Sequence, residues 1–417
     1  MRSFTSTLFT AISLLTPGIF SAPGSPLHAV QKFSGVKKVG SYIVKLKDNV
    51  AKDSWLATHL PDADLTHDYD SDFLNAFSGK FGQSAVNTIR ASHDVASISE
   101  DGFLTTQANN RRAMGNILHQ PTPKEADQTA IDLIFTYKYN STGTGVDIYV
   151  VDTGINTAHD ADENGHGTHC SGTAAGSQFG VAKNASLVTV KVLDDFGWVI
   201  YPFCDFKFNL IITARTGRSG TYADVPVILM DDEQVRIAGL NWVAVQAKFS
   251  GNPSVVSMSL GGGTMQTLDD AVTAASLSSS FHLTTAGVHV VVAAANNGAD
   301  ASGFSQSRVP SAITVGATDI TDKRASFSNF GAVVGVFAPG VSIISAWTGS
   351  TNATNGISGT SMATPHISGL VAYLLELLGP TKPDVMSTLI QTLSQKNVLA
   401  NIPTGTANDL AFNGISA

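Results

Sequence analysis

The chain has 417 residues, of which 43% are hydrophobic and only 14% are charged, and it contains 38 glycines. This length accommodates one large domain and a smaller one, and the composition predicts a globular protein with many tight turns. The net charge of −8 argues against nucleic acids and acidic membranes as partners. Two cysteines, Cys170 and Cys204, exclude a disulfide framework and permit one bridge at most.

Residues 1–22 have the pattern of a secretory signal peptide. A weak positive end at Arg2 precedes the apolar run Leu8–Phe20, and a small-residue cleavage site follows at Ala22. The apolar run is too short to span a bilayer. We therefore expect a secreted, extracellular protein with no membrane association.

Residues 39–104 are predicted to form a small α+β domain, because short strand and helix patterns alternate there. The strand patterns are Gly40–Leu46, Asn75–Phe81 and Val95–Ser99, and the helix pattern is Ser84–Ala91. The residues alone indicate no function for this unit. The stretch 105–140 is polar and weakly patterned, which is typical of a cleavage region and surface loops.

From Gly145 the pattern changes to apolar runs that alternate with helices. Near-continuous apolar runs are typical of strands buried on both faces of a parallel sheet. The runs are Val146–Val151, Leu187–Val192, Val255–Leu260, Val288–Ala295 and Ile313–Ala317. The predicted helices are Gly167–Ala175, Val235–Lys248, Leu268–Ser279 and Ile367–Leu378. This alternation predicts an α/β fold with a doubly wound, mainly parallel sheet, whose sites form at the carboxyl ends of strands.

Asp152 directly follows the first of these strands and is the first candidate for chemistry. Its Asp152-Thr153-Gly154 motif also occurs in aspartic proteases, in which two carboxylates share a proton. The sequence has no second Asp-Thr-Gly or Asp-Ser-Gly motif, which argues strongly against that reading.

His166 lies in a glycine-rich stretch at the start of a predicted helix. A metal site is an alternative, because His166, His169 and Cys170 have the i, i+3, i+4 spacing that zinc sites use. We favour a catalytic base at His166 and expect His169 and Cys170 to be packed structural groups.

Ser361 opens the last apolar helix, where unpaired backbone N–H groups and the helix dipole favour developing negative charge. The alternative is an ordinary helix cap, which serine also favours. Asn296 ends a strand and could donate from its amide to an oxyanion, although Asn296-Asn297-Gly298 is also a turn signal.

Asp152, His166 and Ser361 form an acid, a base and a nucleophile in the chain order of subtilisin. In this interpretation His166 removes the Ser361 hydroxyl proton and Asp152 orients the imidazole. The Ser361 N–H and the Asn296 amide would then hold the tetrahedral oxyanion.

The chain resembles the secreted fungal subtilisin-like serine proteases of the proteinase K type over about residues 40–417. The motifs that carry this resemblance are Val151–Gly154, Gly165–Cys170, Val190–Asp195, Ser259–Gly263 and Gly359–His366. The resemblance implies a catalytic domain at 105–417 and an inhibitor-type prodomain at 39–104. It also implies that the prodomain tail occupies the active site until the chain is cut between Asp101 and Arg112.

By the same resemblance, Ser259, Leu260 and Gly261 form one wall of the primary substrate pocket and pair with extended peptide substrates. Broad cleavage after apolar or aromatic residues is expected, together with neutral to alkaline activity, since His166 must be deprotonated.

Two segments depart from the family pattern. Asp152 and His166 are only 14 positions apart, with a short 160–163 segment where the family has a longer one containing a strand. An insertion occupies about 196–235 and is expected to be a long unpatterned loop, because its stretch Trp198–Phe206 has no helical or strand period. We hypothesise that much of 198–232 is a translated intron. Recovery of peptides from 198–232 in peptide mapping of the secreted protein would rule this hypothesis out.

The reaction is expected to need no cofactor. The family's structural calcium uses an Asp where this chain has Gly335, so a tight calcium site is not expected. The family disulfides are also absent, and Ala295 replaces the Gly that usually precedes the oxyanion Asn.

The preferred interpretation is a monomeric secreted serine endopeptidase that processes its own precursor, with its prodomain as an intramolecular inhibitor. The main alternative is a catalytically impaired protein of the same fold that acts in binding. An α/β-hydrolase esterase is disfavoured, because it would need Gly-x-Ser-x-Gly and the order Ser, Asp, His.

Overall fold

The structure is a computed structural model with full side chains. It describes residues 27–33, 37–69, 71, 74–102, 105–106, 139–156, 162–193, 209–215, 222–229, 234–277 and 287–414. The predicted signal peptide, the stretch 107–138 and Cys204 lie outside these residues. Across the described ranges, no helix is long and apolar enough to cross a membrane.

The N-terminal unit is a five-stranded sheet in the order β1-β5-β2-β4-β3, with two helices. Its elements are β1 (Val30–Gln31), β2 (Lys37–Leu46), α1 (Lys52–His59), β3 (Leu65–Asp68), β4 (Ala76–Lys80), α2 (Gln83–Ala91) and β5 (Val95–Gly102). Trp55, Phe77 and Ile89 are buried in its core. The unit thus matches the predicted α+β pattern, but it includes β1, which precedes the predicted start at residue 39.

The large sheet has ten strands in the order β10-β9-β8-β7-β11-β13-β14-β15-β19-β18. The central ladders from β8 to β19 are parallel. These strands are β7 (Asp147–Asp152), β8 (Ser186–Lys191), β9 (Asn209–Arg215), β10 (Tyr222–Leu229), β11 (Ser254–Met258), β13 (Val288–Ala293), β14 (Ile313–Thr318), β15 (Val336–Pro339), β18 (Gln395–Lys396) and β19 (Asp409–Leu410).

Helices cover both faces of this sheet, as the doubly wound prediction requires. They are α3 (His166–Ala175), α4 (Gln234–Ser250), α5 (Gln266–Leu277), α6 (Thr360–Leu378) and α7 (Pro383–Leu393). Alternate residues of β13 enter different cores: Val290 and Val292 pack with residues of α4 and α5, whereas Val291 packs with α6. This alternation explains the continuous apolar runs, because both faces of each central strand are buried.

Two short antiparallel pairs complete the described strands. β6 (Thr105–Thr106) pairs with β12 (Leu260–Gly261), and β16 (Ile343–Ala346) pairs with β17 (Thr354–Ile357).

The insertion at 196–235 contributes a hairpin to the sheet, which its sequence did not indicate. β9 pairs antiparallel with the edge of β8, and β10 pairs antiparallel with β9. The expectation of an unpatterned loop is therefore wrong for 209–215 and 222–229. The stretch Trp198–Phe206, on which the intron hypothesis chiefly rests, lies outside the described residues.

Candidate active site

The candidate residues gather at the carboxyl ends of the parallel strands, as predicted. Asp152 is the last residue of β7, and Asn296 lies three positions after β13 ends. Ser259 lies between β11 and β12, and Ser361 is the second residue of α6. The side chains therefore meet at one edge because the strands run in the same direction.

Asp152 and His166 form a buried pair. Nδ1 of His166 lies 2.7 Å from Oδ1 of Asp152, and both side chains are 1% exposed. The same carboxylate oxygen accepts a hydrogen bond from the Thr153 N–H at 2.7 Å. The pairing fixes Nδ1 as the N–H of the imidazole and leaves Nε2 as the atom that can accept a proton.

Burial and charge act in opposite directions on His166. Burial is the largest single effect and lowers the pKa of the imidazole, but the charge and hydrogen bonding of Asp152 and Cys170 together raise it by more, so that the pKa lies well above its usual value. The neighbouring Cys170 thiol has a raised pKa because it is fully buried. Cys170 is consequently a neutral group beside the pair.

Ser361 is held by reciprocal hydrogen bonds with Ser259. The Ser361 hydroxyl donates to the Ser259 carbonyl at 2.9 Å, and the Ser259 hydroxyl donates to the Ser361 carbonyl at 2.9 Å. The Ser361 carbonyl needs such a donor, because Pro365 supplies no N–H four residues later. The Cys170 thiol lies 3.5 Å from the same carbonyl oxygen.

The expected hydrogen bond between Ser361 and His166 is not formed in this structure. Nε2 of His166 is buried and has no hydrogen-bond partner among the residues that the structure describes. The Ser361 hydroxyl rotates about a single bond, so its hydrogen bond to Ser259 is not fixed by the backbone. Hydrogen bonds of this kind commonly tighten only when substrate is bound.

Asn296 is oriented by the first residue of α6. Its Oδ1 accepts hydrogen bonds from both the N–H and the hydroxyl of Thr360, each at 2.9 Å. These two hydrogen bonds fix the orientation of the planar amide group, and therefore also the position of its nitrogen. The preceding Ala295 is buried and has φ of +75°, a left-handed conformation that favours glycine.

The residues that hold the start of α3 were not singled out from the sequence. Asp162 is 4% exposed and accepts hydrogen bonds from the N–H groups of Gly165 and Thr168, both at 2.8 Å. It also accepts from the hydroxyls of Thr153 and Thr168. The signal was an acidic residue just before the helix start, where carboxylates act as caps.

The strand β12 directly follows Ser259, the hydrogen-bond partner of Ser361, and pairs with an extended segment. Leu260 is paired with Thr106 and Gly261 with Thr105, in antiparallel register. Thr106 is therefore the residue of β6 nearer to Ser259, whose carbonyl holds the Ser361 hydroxyl. Peptide backbone thus pairs with the predicted substrate wall next to Ser361.

Ligating atoms of Asp152, His166 and Cys170 lie within 4.8 Å of one another, which is a possible metal-binding arrangement. The predicted alternative set included His169 instead of Asp152. His169 is buried, with Nε2 2.8 Å from the Ile343 carbonyl, and burial lowers its pKa to about 4. Its packed surroundings agree with the structural role expected for it.

At the calcium position considered from the sequence, Gly335 offers no side-chain ligand, and its N–H donates to the Thr314 carbonyl at 3.0 Å.

A doubly wound sheet that brings a buried Asp–His pair close to a serine at a helix start defines an α/β serine hydrolase. The model of the Subtilase family matches residues 95–200 and 226–411, so this chain belongs to the subtilase family. It is a serine-type endopeptidase and acts on protein substrates. The unmatched residues 201–225 fall inside the predicted insertion.

Similar proteins support the same assignment. A "Cuticle-degrading protease" of Metarhizium anisopliae is 34% identical, over 97% of this chain and 99% of its own length. "Alkaline serine protease ver112" of Corniculantispora psalliotae is 38% identical over 90% of each chain. The crystal structure of a cold adapted subtilisin-like serine proteinase has a TM-score of 0.54 and 37% identity, and the match covers 67% of this chain and 93% of that one.

Proposed function

We propose that Asp152, His166 and Ser361 form the catalytic triad of this endopeptidase. The observation that carries the proposal is the buried Asp152–His166 pair, with Nδ1 2.7 Å from Oδ1. His166 Nε2 accepts the Ser361 proton as the hydroxyl attacks the scissile carbonyl, and later returns it to the leaving amine. Asp152 stabilises the imidazolium that forms between these steps.

In this proposal the oxyanion is held by the Ser361 N–H and the Asn296 amide nitrogen. Thr360 supports this role, because it occupies Oδ1 of Asn296 and so orients the amide. The Ser361 N–H lies in the first turn of α6, where backbone donors have no helical acceptor. The reaction uses these side chains and backbone groups without a cofactor.

We further propose that residues 39–104 are an inhibitor-type prodomain and that the chain processes itself. The support is the β6–β12 pair, in which the segment just after residue 104 lies on the predicted substrate wall. Its direction leads from Thr106 towards Ser361, so cleavage is expected within 107–112. N-terminal sequencing of the mature protein tests this, and a mature chain that retains Thr106 would contradict it.

We also propose that the protein is a secreted monomer and that it cleaves broadly after apolar or aromatic residues. Ser259, Leu260 and Gly261 serve as the wall that pairs with substrate. Profiling with a peptide library tests the specificity, and a strict requirement for a charged residue before the cleaved bond would contradict it.

Labelling of the processed protein with a serine-directed fluorophosphonate tests the triad. We expect labelling at Ser361, and we expect Ser361→Ala to abolish both labelling and proteolysis. Ser368→Ala is the matched control, because Ser368 is a buried serine two turns later on the same helix. Processed wild-type protein that does not label would support the alternative of an impaired protein.

A further inference from the structure

We propose that Asp162 is a positioning residue that holds His166 in register with Asp152. The proposal rests on the proposed triad and adds to it a residue that never touches the substrate. It also gives a function to the short 160–163 segment, which departs from the family pattern.

The start of α3 needs outside acceptors, because the first N–H groups of a helix have no partner within it. Gly165, which precedes the helix, has no side chain to supply one. The N–H groups of Gly165 and Thr168 donate to Asp162, and that of Gly167 donates to the Thr153 hydroxyl at 2.9 Å. The His166 N–H donates to Oδ1 of Asn164 at 3.3 Å.

The Asp162 carboxylate is fully used as an acceptor. Oδ1 accepts from the Gly165 N–H and the Thr153 hydroxyl, at 2.8 and 2.9 Å. Oδ2 accepts from the N–H and the hydroxyl of Thr168, at 2.8 and 2.6 Å. Each oxygen therefore faces one backbone N–H that cannot rotate away. An amide in this position would direct its NH₂ group at one of those N–H groups.

Thr153 connects this network to the other half of the pair. Its hydroxyl donates to Asp162 and accepts from the Gly167 N–H, while its own N–H donates to Oδ1 of Asp152. Thr153 is therefore hydrogen-bonded both to the last residue of β7 and to the first turn of α3. Asp162 consequently fixes the helix start relative to the carboxylate that orients His166.

Trp347 also packs against the start of this helix. A Cβ atom on Gly165 would lie 2.7 Å from the Trp347 ring, and Gly165 has φ of +89°. The Trp347 ring lies on one side of this turn, and the Asp162 hydrogen bonds hold it from another. When the hydrogen bonds are lost, His166 is no longer held at the distance from Ser361 that the reaction requires.

Asp162→Asn in the full chain tests the proposal. We expect kcat per folded molecule to fall about tenfold to hundredfold, with KM within about twofold, since small misplacements of a catalytic group have effects of this size. The downfield proton resonance of His166 Nδ1–H should shift or broaden. A role limited to stability would change neither kcat at a temperature where the protein is folded nor this resonance.

Glu376→Gln is the matched control, because Glu376 is also a carboxylate that accepts several hydrogen bonds, near the far end of α6. It should leave kcat and the resonance unchanged. If Asp162→Asn does not accumulate, Thr153→Val decides the question, since it removes the link to Gly167 and should lower kcat about tenfold.

Wild-type kcat and an unchanged resonance in a folded Asp162→Asn or Thr153→Val variant would overturn the proposal. Failure of the proposed triad is distinguished by the fluorophosphonate experiment, in which the wild-type protein itself would not label.

Discussion

At the scale of single residues, the proposed triad predicts that the Asp152–His166 pair sets the pH range of activity. In that proposal His166 must be neutral to accept the Ser361 proton, so activity is lost as pH falls through its pKa. Burial lowers that pKa, and Asp152 together with Cys170 raises it by more. The acidic limb of activity should therefore lie above the ordinary histidine value of about 6.5.

Asp152→Asn removes the carboxylate, which raises this pKa, and leaves the burial that lowers it. We expect the acidic limb of kcat/KM to move to lower pH, while kcat falls about 10⁴-fold because the imidazole loses its orienting carboxylate. Profiles of kcat/KM against pH check both effects. Asp147→Asn is a suitable control, since Asp147 is a buried carboxylate at the opposite end of β7. An unshifted limb in Asp152→Asn would contradict the prediction.

The residue types and their order in the sequence predicted which side chains lie at the site, but not which hydrogen bonds each side chain forms. The motifs around Asp152, His166 and Ser361 indicated all three residues from their places at element ends. They could not indicate that the Ser361 hydroxyl bonds to Ser259, because that contact joins residues 102 positions apart through the packing of α6. Asp162 was missed for a similar reason, since its hydrogen bonds to Gly165 and Thr168 depend on the turn conformation.

At the scale of elements, α6 is held at its far end by Glu376. The carboxylate accepts from the Ser141 hydroxyl at 2.5 Å and from the N–H groups of Thr142 and Gly143 at 2.6 Å each. Partial burial raises the pKa of Glu376, but these hydrogen bonds outweigh it and lower the pKa to about 2. The helix that carries Ser361 is thereby joined to the chain just before β7.

Glu376→Gln should reduce the free energy of unfolding by about 1 kcal/mol at pH 7, a value discounted for the exposure of this side chain. A lowered folded-state pKa gives stability that is present above the unfolded value and is lost as pH falls from about 4.5 towards 2. The difference between the variants should therefore vanish near pH 2.

Urea unfolding at pH 7 and at low pH, in a Ser361→Ala background that prevents autolysis, measures this difference. The exposed Glu163 provides the control, and Glu163→Gln should match its parent throughout. A Glu376→Gln effect that is equally large at both pH values would contradict the electrostatic explanation.

The positions of strands were predictable from the sequence where both faces of the strand are buried. The apolar runs of β7, β11 and β13 lie between two helical layers, so composition alone marked them as central strands. The hairpin of β9 and β10 was not marked, because an edge strand is specified by backbone pairing to β8 rather than by a buried side-chain pattern. The predicted strand Val288–Ala295 is two residues too long, because the strand ends at Ala293 and Ala295 adopts positive φ.

At the scale of the whole molecule, the N-terminal unit shares a core with the large domain. Phe33, Ile43 and Leu74 belong to the same buried cluster as Leu240 and Leu268. This cluster includes residues of the N-terminal unit, of helices α4 and α5, and of the large sheet. A continuous apolar contact of this kind explains how the unit would remain bound after the chain is cut, as the prodomain proposal requires.

Charge also joins the two units. Lys45 on β2 lies 3.0 Å from Asp270 on α5, with the two side chains 26% and 22% exposed. A partly exposed pair of this kind contributes about 0.2–1 kcal/mol. Lys45→Asp would replace this attraction by repulsion and weaken the binding of the proposed prodomain to the large domain.

We expect Lys45→Asp to shorten the lag between precursor cleavage and the appearance of protease activity by about fivefold, since about 1 kcal/mol corresponds to that factor. Gel analysis of cleavage and a peptide assay of activity measure the lag in the full chain. Asp270→Lys in the same chain should restore it by recreating the pair in reverse. Lys47→Asp makes the same charge change at an exposed position just after β2 and should leave the lag unaltered. An equal effect of Lys45→Asp and Lys47→Asp would show that net charge, rather than this contact, governs release.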